Sequence, residues 1–171
     1  SWLNNLAKNK QWPQYLKHYQ APQSPRHQCT RLNALINTGK QQQALKDTPA
    51  LWLVGQSQHK NCDAAFRFFE SKGQLTDELR WQRIQLAIDR QQFSLASYLV
   101  KSVEHPTAGE KLISRWQRMH KNPLSQLQLM PAATSKGLPK FISAQTQNKA
   151  LIEYGLTRLA RKSTEKAFSQ W

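Results

Sequence analysis

Apolar residues recur every three or four positions along most of this chain, which is the period of an amphipathic helix, and the stripes are short. Between 28 and 38, Cys29, Leu32, Leu35 and Ile36 share a face, and Gly39 follows as a helix stop. After "QQQALKD", Pro49 is placed to open a further helix at "PALWLVG", since a first turn tolerates proline. Ala65, Phe66 and Phe69 make the next stripe, closed by Gly73, and Thr76 is positioned to cap a helix bearing Trp81, Ile84 and Ile88. Phe93, Ala96, Leu99 and Val100 follow, and Pro106 and Thr107 introduce Leu112, Ile113, Trp116 and Met119. Ile152, Leu156, Leu159 and Ala160 outline a late helix, with Thr164 to Trp171 read as its partner. Period-two alternation is almost absent. The pattern predicts an all-α fold.

A repeat shows within it. "RLNALINTGKQQQAL" from Arg31, "RIQLAIDRQQFSLA" from Arg83 and "LTRLARKSTEKA" from Leu156 each place an apolar pair, a short polar turn, and a helix restarting on a small residue: Ala44, Ala96 and Ala167. Repeated helix pairs that bury their apolar faces on neighbours predict an α-solenoid, or superhelix, with a helical bundle as the alternative. The segment is read as one unit: regular helix pairs over 1–121, an irregular connection rich in proline over 122–140, and a final helix pair over 141–171. The tryptophans follow this scheme. Trp52, Trp81 and Trp116 fall on apolar stripes and are expected in the core, whereas Trp2, Trp12 and Trp171 lie near the ends and are expected to be partly exposed.

With 171 residues, 39% of them hydrophobic, the chain is long enough for one real core. No apolar run approaches the roughly 18 residues that cross a bilayer. The first residues, "SWLNNLAKNK", lack methionine and the apolar stretch of a signal peptide, so a processed or excised piece of a longer protein is expected. The formal net charge of +15 restricts partners more than fold: nucleic acid, an anionic membrane surface, or a polymer bearing carboxylates. The cations are spread along the chain, without the block that marks a disordered basic tail.

Cys29 and Cys62 admit three readings. Both are free buried thiols; or, with His27 and His59 in "HQC" and "HKNC", they form a zinc site; or they join in a disulfide that clamps two helices. Closing that loop would stabilise the fold by about 4 kcal/mol on a chain-entropy argument. Spacing alone does not choose among them.

The stretch "CTRLNALINTGKQQQALKDTPALWLVGQSQHKNCDAAFRFFESKGQ" resembles the N-terminal superhelical region of the periplasmic soluble lytic murein transglycosylases, which cleave peptidoglycan in Gram-negative bacteria. The order cysteine, helix, "TG", helix, "LW-L-G", asparagine-bearing turn, cysteine and aromatic helix carries the likeness. It extends back to "WLNNLAKNKQWPQYLKHY" and forward through "RWQRIQLAIDRQQFSLASYLV" to "LARKSTEKA". The resemblance implies a Cys29–Cys62 disulfide, an oxidising periplasm, and peptidoglycan as the partner of the parent enzyme. It also implies that catalysis, which cuts between N-acetylmuramic acid and N-acetylglucosamine to leave a 1,6-anhydro end, belongs to a separate C-terminal domain. That domain uses one glutamate followed by serine and a "G-LMQ-MP" segment. Glu70–Ser71 has the dipeptide without the rest, and Glu110 is followed by Lys111, with only an echo of the segment in "LQLMPAAT". No catalytic residue, cofactor or metal is therefore assigned to this chain.

Three functions are weighed on these grounds. The first is a non-catalytic scaffold of such an enzyme, guiding carboxylate-bearing glycan strands through Arg83, Arg90, Arg115, Arg118, Arg158, Arg161 and Lys162. Second comes an independent helical-repeat adaptor for a protein partner. A basic nucleic-acid binder is third; it lacks any reading motif and sits poorly with a periplasmic disulfide.

Overall fold

The computed structural model describes residues 2–21, 23–129 and 137–169, with side chains described as far as 164. All regular structure among them is helical: α1 (Trp2–Lys8), α2 (Trp12–His18), α3 (Pro25–Asn37), α4 (Gln41–Trp52), α5 (Cys62–Ser71), α6 (Asp77–Asp89), α7 (Phe93–Leu99), a 3-10 turn at Val100–Ser102, α8 (Pro106–Lys121), α9 (Pro123–Gln128) and α10 (Ala144–Ser169). Two compact units result, over residues 1–95 and 96–171.

In the first unit the first five helices pack on their sequence neighbours: α1 on α2, α2 on α3, α3 on α4, and α3 and α4 on α5. One cluster gathers Leu6, Tyr15 and Ala34, and a second gathers Leu32, Leu35, Ala44 and Ala65. Four of these helices, α1, α3, α5 and α6, end alike. Lys10, Gly39, Gly73 and Gln91 all take positive φ, at 54°, 77°, 68° and 59°. After each, the next amide bonds five residues back: Gln11 to Leu6, Lys40 to Leu35, Gln74 to Phe69 and Gln92 to Ala87. This left-handed closing turn satisfies carbonyls that a helix end would otherwise leave bare. It is the structural content of the first two repeat copies, in which Gly39 and Gln91 hold equivalent places and Ala44 and Ala96 are both fully buried.

Cys29 and Cys62 are joined in a disulfide, and both are fully buried. A polar clamp lies beside it. Asn61, just before α5, donates through Nδ2 to Thr30 Oγ1 (2.8 Å), and its carbonyl accepts from Asn33 Nδ2 (2.8 Å). The cross-link and the clamp tie α3 to the start of α5. The α6 helix is held by Trp52, whose Nε1 donates to the Leu79 carbonyl (3.1 Å), and by Gly55, where a Cβ would overlap the Leu86 carbonyl. Thr76 caps α6 as expected, its hydroxyl accepting from the Leu79 amide (3.3 Å).

In the second unit α8 buries Leu112, Ile113, Trp116 and Met119, and packs with both α9 and α10. Gly155 lets α10 close on Met119, since a Cβ there would overlap its sulfur.

Three sequence expectations change. Pro49 lies inside α4 and does not open a new helix. A proline inside a helix lacks the amide that would bond the carbonyl four residues back and crowds that carbonyl; in the same turn the Thr48 hydroxyl bonds back to the Ala44 carbonyl (2.7 Å). The 122–140 connection contains a short helix, α9. The final helix pair is one 26-residue helix, α10, so the third repeat copy has no closing turn. Arginine, lysine and alanine there favour continued helix. The Ser163 and Thr164 hydroxyls bond back to the Leu159 and Ala160 carbonyls at 3.0 Å, which accommodates both residues within it.

Candidate functional site

The seven nominated basic residues fall into two groups. Arg83 and Arg90 belong to the first unit; Arg115, Arg118, Arg158, Arg161 and Lys162 belong to the second.

Arg83 is a correction. It is only 4% exposed, and its guanidinium lies 4.3 Å from the Trp52 ring centre and 5.4 Å from that of Phe66. A cation stacked in this way is part of the core, and its long stem packs like an apolar one. Arg83 is thereby removed from any surface that a polymer touches. Its partner in the repeat, Arg31, also lies over an aromatic ring, that of Tyr19 at 5.6 Å. Arg90 is exposed at the end of α6, with its stem beside Gly55. It is seven residues from Arg83, but no shared surface joins them.

The second unit does bring its cations together. Tyr154, Arg158 and Lys162 recur every four residues on α10 and meet the last turn of α8. Arg158 Nε donates to the His120 carbonyl (2.5 Å), and Lys162 Nζ to the Lys121 carbonyl (3.4 Å). These cations satisfy the bare carbonyls of α8 and lie at the negative end of its dipole. The Tyr154 hydroxyl shares a hydrogen bond with His120 Nδ1, and the Tyr154 ring packs on Trp116. Burial, then the charges of Arg158 and Lys162, push the His120 pKa below its ordinary value, so the imidazole is neutral at pH 7. Arg115 Nη2 donates to Asn148 Oδ1 (2.6 Å). Burial, then the neighbouring Arg118, lower its pKa. Arg118 and Arg161 are exposed, with Arg118 Nε donating weakly to Gln126 Oε1 (3.4 Å).

The result is a cation-rich face built on α8 and α10. Arginines there keep donors beyond those spent on structure, and paired N–H groups suit carboxylates. The carboxylates considered for catalysis have a different setting. Glu70 is 53% exposed and pairs with Arg80 at 2.6 Å, and Glu110 is exposed near the start of α8. A general acid works from a shielded site, and both of these carboxylates face solvent. Part of "LQLMPAAT" lies outside the described residues, as does Trp171. Of the other tryptophans, Trp52, Trp81 and Trp116 are buried, Trp12 is half-buried and Trp2 is 55% exposed.

The zinc and free-thiol readings also end here, because the two sulfurs are bonded to each other. His27 Nε2 meets Asn4 Oδ1 (3.1 Å), and His59 Nδ1 accepts from the Asn61 amide (3.1 Å). Sequence reasoning missed His120, Tyr154 and Asn148. The four-residue spacing of Tyr154, Arg158 and Lys162 was the one available signal, since it puts all three on one stripe.

No protein-family profile matches the chain. Its homologues are soluble lytic murein transglycosylases: those of Escherichia coli K12 and Salmonella typhimurium are 28% and 27% identical over 116 residues, 66% of this chain. The chain spans 18% of the length of those relatives. Among solved structures, an inactive mutant of the lytic transglycosylase Slt of Pseudomonas aeruginosa superposes with a TM-score of 0.69 at 29% identity, over 98% of this chain and 26% of that one. The 70-kDa soluble lytic transglycosylase of Escherichia coli shares the fold, with a TM-score of 0.64 over 96% of this chain and 25% of that one.

Proposed function

We propose that this chain, whose homologues are soluble lytic murein transglycosylases, is a non-catalytic helical segment of such an enzyme, placed in the periplasm of a Gram-negative bacterium. In this reading the parent cleaves the bond between N-acetylmuramic acid and N-acetylglucosamine, with formation of a 1,6-anhydro end, in a C-terminal catalytic domain. The segment contributes a scaffold, and its α8–α10 face holds the strand through the carboxylates of the polymer. The observation that carries the reading is the agreement with the Pseudomonas aeruginosa enzyme over 98% of this chain. The buried disulfide supports an oxidising compartment.

Co-sedimentation with purified sacculi across a salt series, with duplex DNA as competitor, tests it. Retention near physiological salt that DNA does not displace is expected, with no muropeptides released. Replacing both Arg118 and Arg161 by Gln removes two exposed cations and weakens retention roughly tenfold, whereas Arg90→Gln leaves it unchanged. Release of anhydromuropeptides, or displacement by DNA, overturns the reading.

An adaptor is the second reading, because Ile152 and Leu156, one turn apart on α10, are 38% and 54% exposed. Retention that survives Ile152→Ser with Leu156→Ser, yet falls with the arginine pair, separates glycan contact from an apolar docking surface.

A further inference from the structure

The first unit holds an open groove of about 670 Å³ walled by Tyr19, Ala21 and Gln23 together with α3 and α4. Part of its lining is aliphatic, from Leu32, Ala50 and Leu51. The charged groups lining it are Arg31 and Lys46 against Asp47, an excess of one positive charge.

Arg31 is held in place there. Nη1 donates to Asp47 Oδ2 at 2.7 Å, and the guanidinium lies over the Tyr19 ring. Asp47 is fixed in turn, with Gln43 Nε2 donating to Oδ1 (2.8 Å) and Oδ2 (3.0 Å). Burial alone would raise the Asp47 pKa. The bonds from Gln43 and Arg31 overcome that and hold it below the usual carboxylate range, so the anion stays committed to Arg31. The Arg31 side chain is 29% exposed, and among the described residues no second acceptor engages its remaining donors.

An oriented guanidinium with unspent donors, beside aliphatic surface and a second cation, has the chemistry of a carboxylate receptor. Two other ligand classes fit worse. A sugar ring needs an open aromatic face, and the Tyr19 ring already has the Arg31 guanidinium 5.6 Å from its centre and the Tyr15 ring 6.1 Å away. A polyphosphate needs more than one net positive charge. We propose that this groove binds the carboxylate end of a short aliphatic peptide, with Arg31 supplying paired donors and Lys46 the second charge. The choice of a cell-wall-like peptide as ligand rests on the function proposed above; the site itself rests on the groove.

The test is an amide-resolved NMR titration of the chain with N-acetyl-D-alanyl-D-alanine and, separately, with its C-terminal amide. Shifts are expected at Tyr19, Arg31, Lys46 and Leu51. The amide binds about tenfold more weakly, because a charge-assisted bond is lost. Lys46→Gln, at an exposed position, weakens the carboxylate several-fold while the spectrum keeps its native dispersion. Arg31→Lys keeps the charge and loses the paired donors, and is expected to weaken it further. Equal binding of acid and amide, or shifts confined to the α8–α10 cations, overturns the proposal. Groove binding without sacculus retention supports this inference and counts against the proposed function. Sacculus retention with a silent groove does the reverse.

Discussion

Single residues show how far composition misleads. Arg83 carries a charge and sits in the core, because Trp52 and Phe66 give its guanidinium a π surface where water would otherwise be needed. Tyr15 is the counterpart, a polar tip on a fully buried ring whose hydroxyl donates to the His27 carbonyl (3.0 Å). Burial, offset in part by the Thr30 hydroxyl, pushes its pKa from 10.0 up to about 12. Below the lower value both states keep the phenolic proton and no stability is lost. Between the two the unfolded chain has released a proton that the fold retains, so stability falls as pH rises through that window. Urea midpoints measured from pH 8 to 12 are expected to drop above 10, with a shallower drop for Tyr15→Phe. An identical slope in that variant removes Tyr15 as a cause.

At the scale of elements, the closing turn organises the first unit, and it was legible in the sequence only where glycine marks it. Gly39 and Gly73 stood out as stops, whereas Lys10 and Gln91 adopt the same positive φ without a glycine to announce it. Space is free around Gly39 and Gly73, so backbone strain alone decides a substitution. Gly39→Ala is expected to cost about 1 kcal/mol. Gln91→Gly is expected to gain roughly 0.5 kcal/mol, the relief of a left-handed residue reduced by glycine's larger chain entropy. Chemical denaturation of the two variants checks both signs; a gain for Gly39→Ala would mean the turn is not held in that conformation. The α10 helix fails the other way. Its sequence carries a repeat-like restart, but without a stop the high helix propensity of its residues carries it straight through.

For the whole molecule, the disulfide links residues 33 apart, and both lie in the first unit. On the chain-entropy argument it contributes about 4 kcal/mol, most of it by restricting the unfolded chain. Reduction by a thiol reagent in mild denaturant is therefore expected to speed hydrogen exchange across residues 2–95 and leave α8 and α10 little changed. Uniform acceleration through both units would show that they unfold as one. The charge of +15 acts at the same scale. It favours encounter with any polyanion, so salt dependence alone does not identify the partner, and competition between sacculi and DNA is the informative measurement.

Much was settled by local pattern. The helical class follows from apolar spacing, the starts of α6 and α8 follow from Thr76 and Pro106, and buried Trp52, Trp81 and Trp116 follow from their place on apolar stripes. These are short-range properties, fixed by neighbours three or four positions away. The cysteine partners were implied by resemblance, not by spacing, because joining residues 33 apart depends on how α3 and α5 pack. Tertiary structure alone decided that Arg83 is buried, that Arg158 and Lys162 spend donors on the end of α8, and that Arg31 and Asp47 meet across a groove. Each of these depends on which helix covers a given face, and a polar side chain carries no sign in its own sequence of the surface that a distant helix will lay over it.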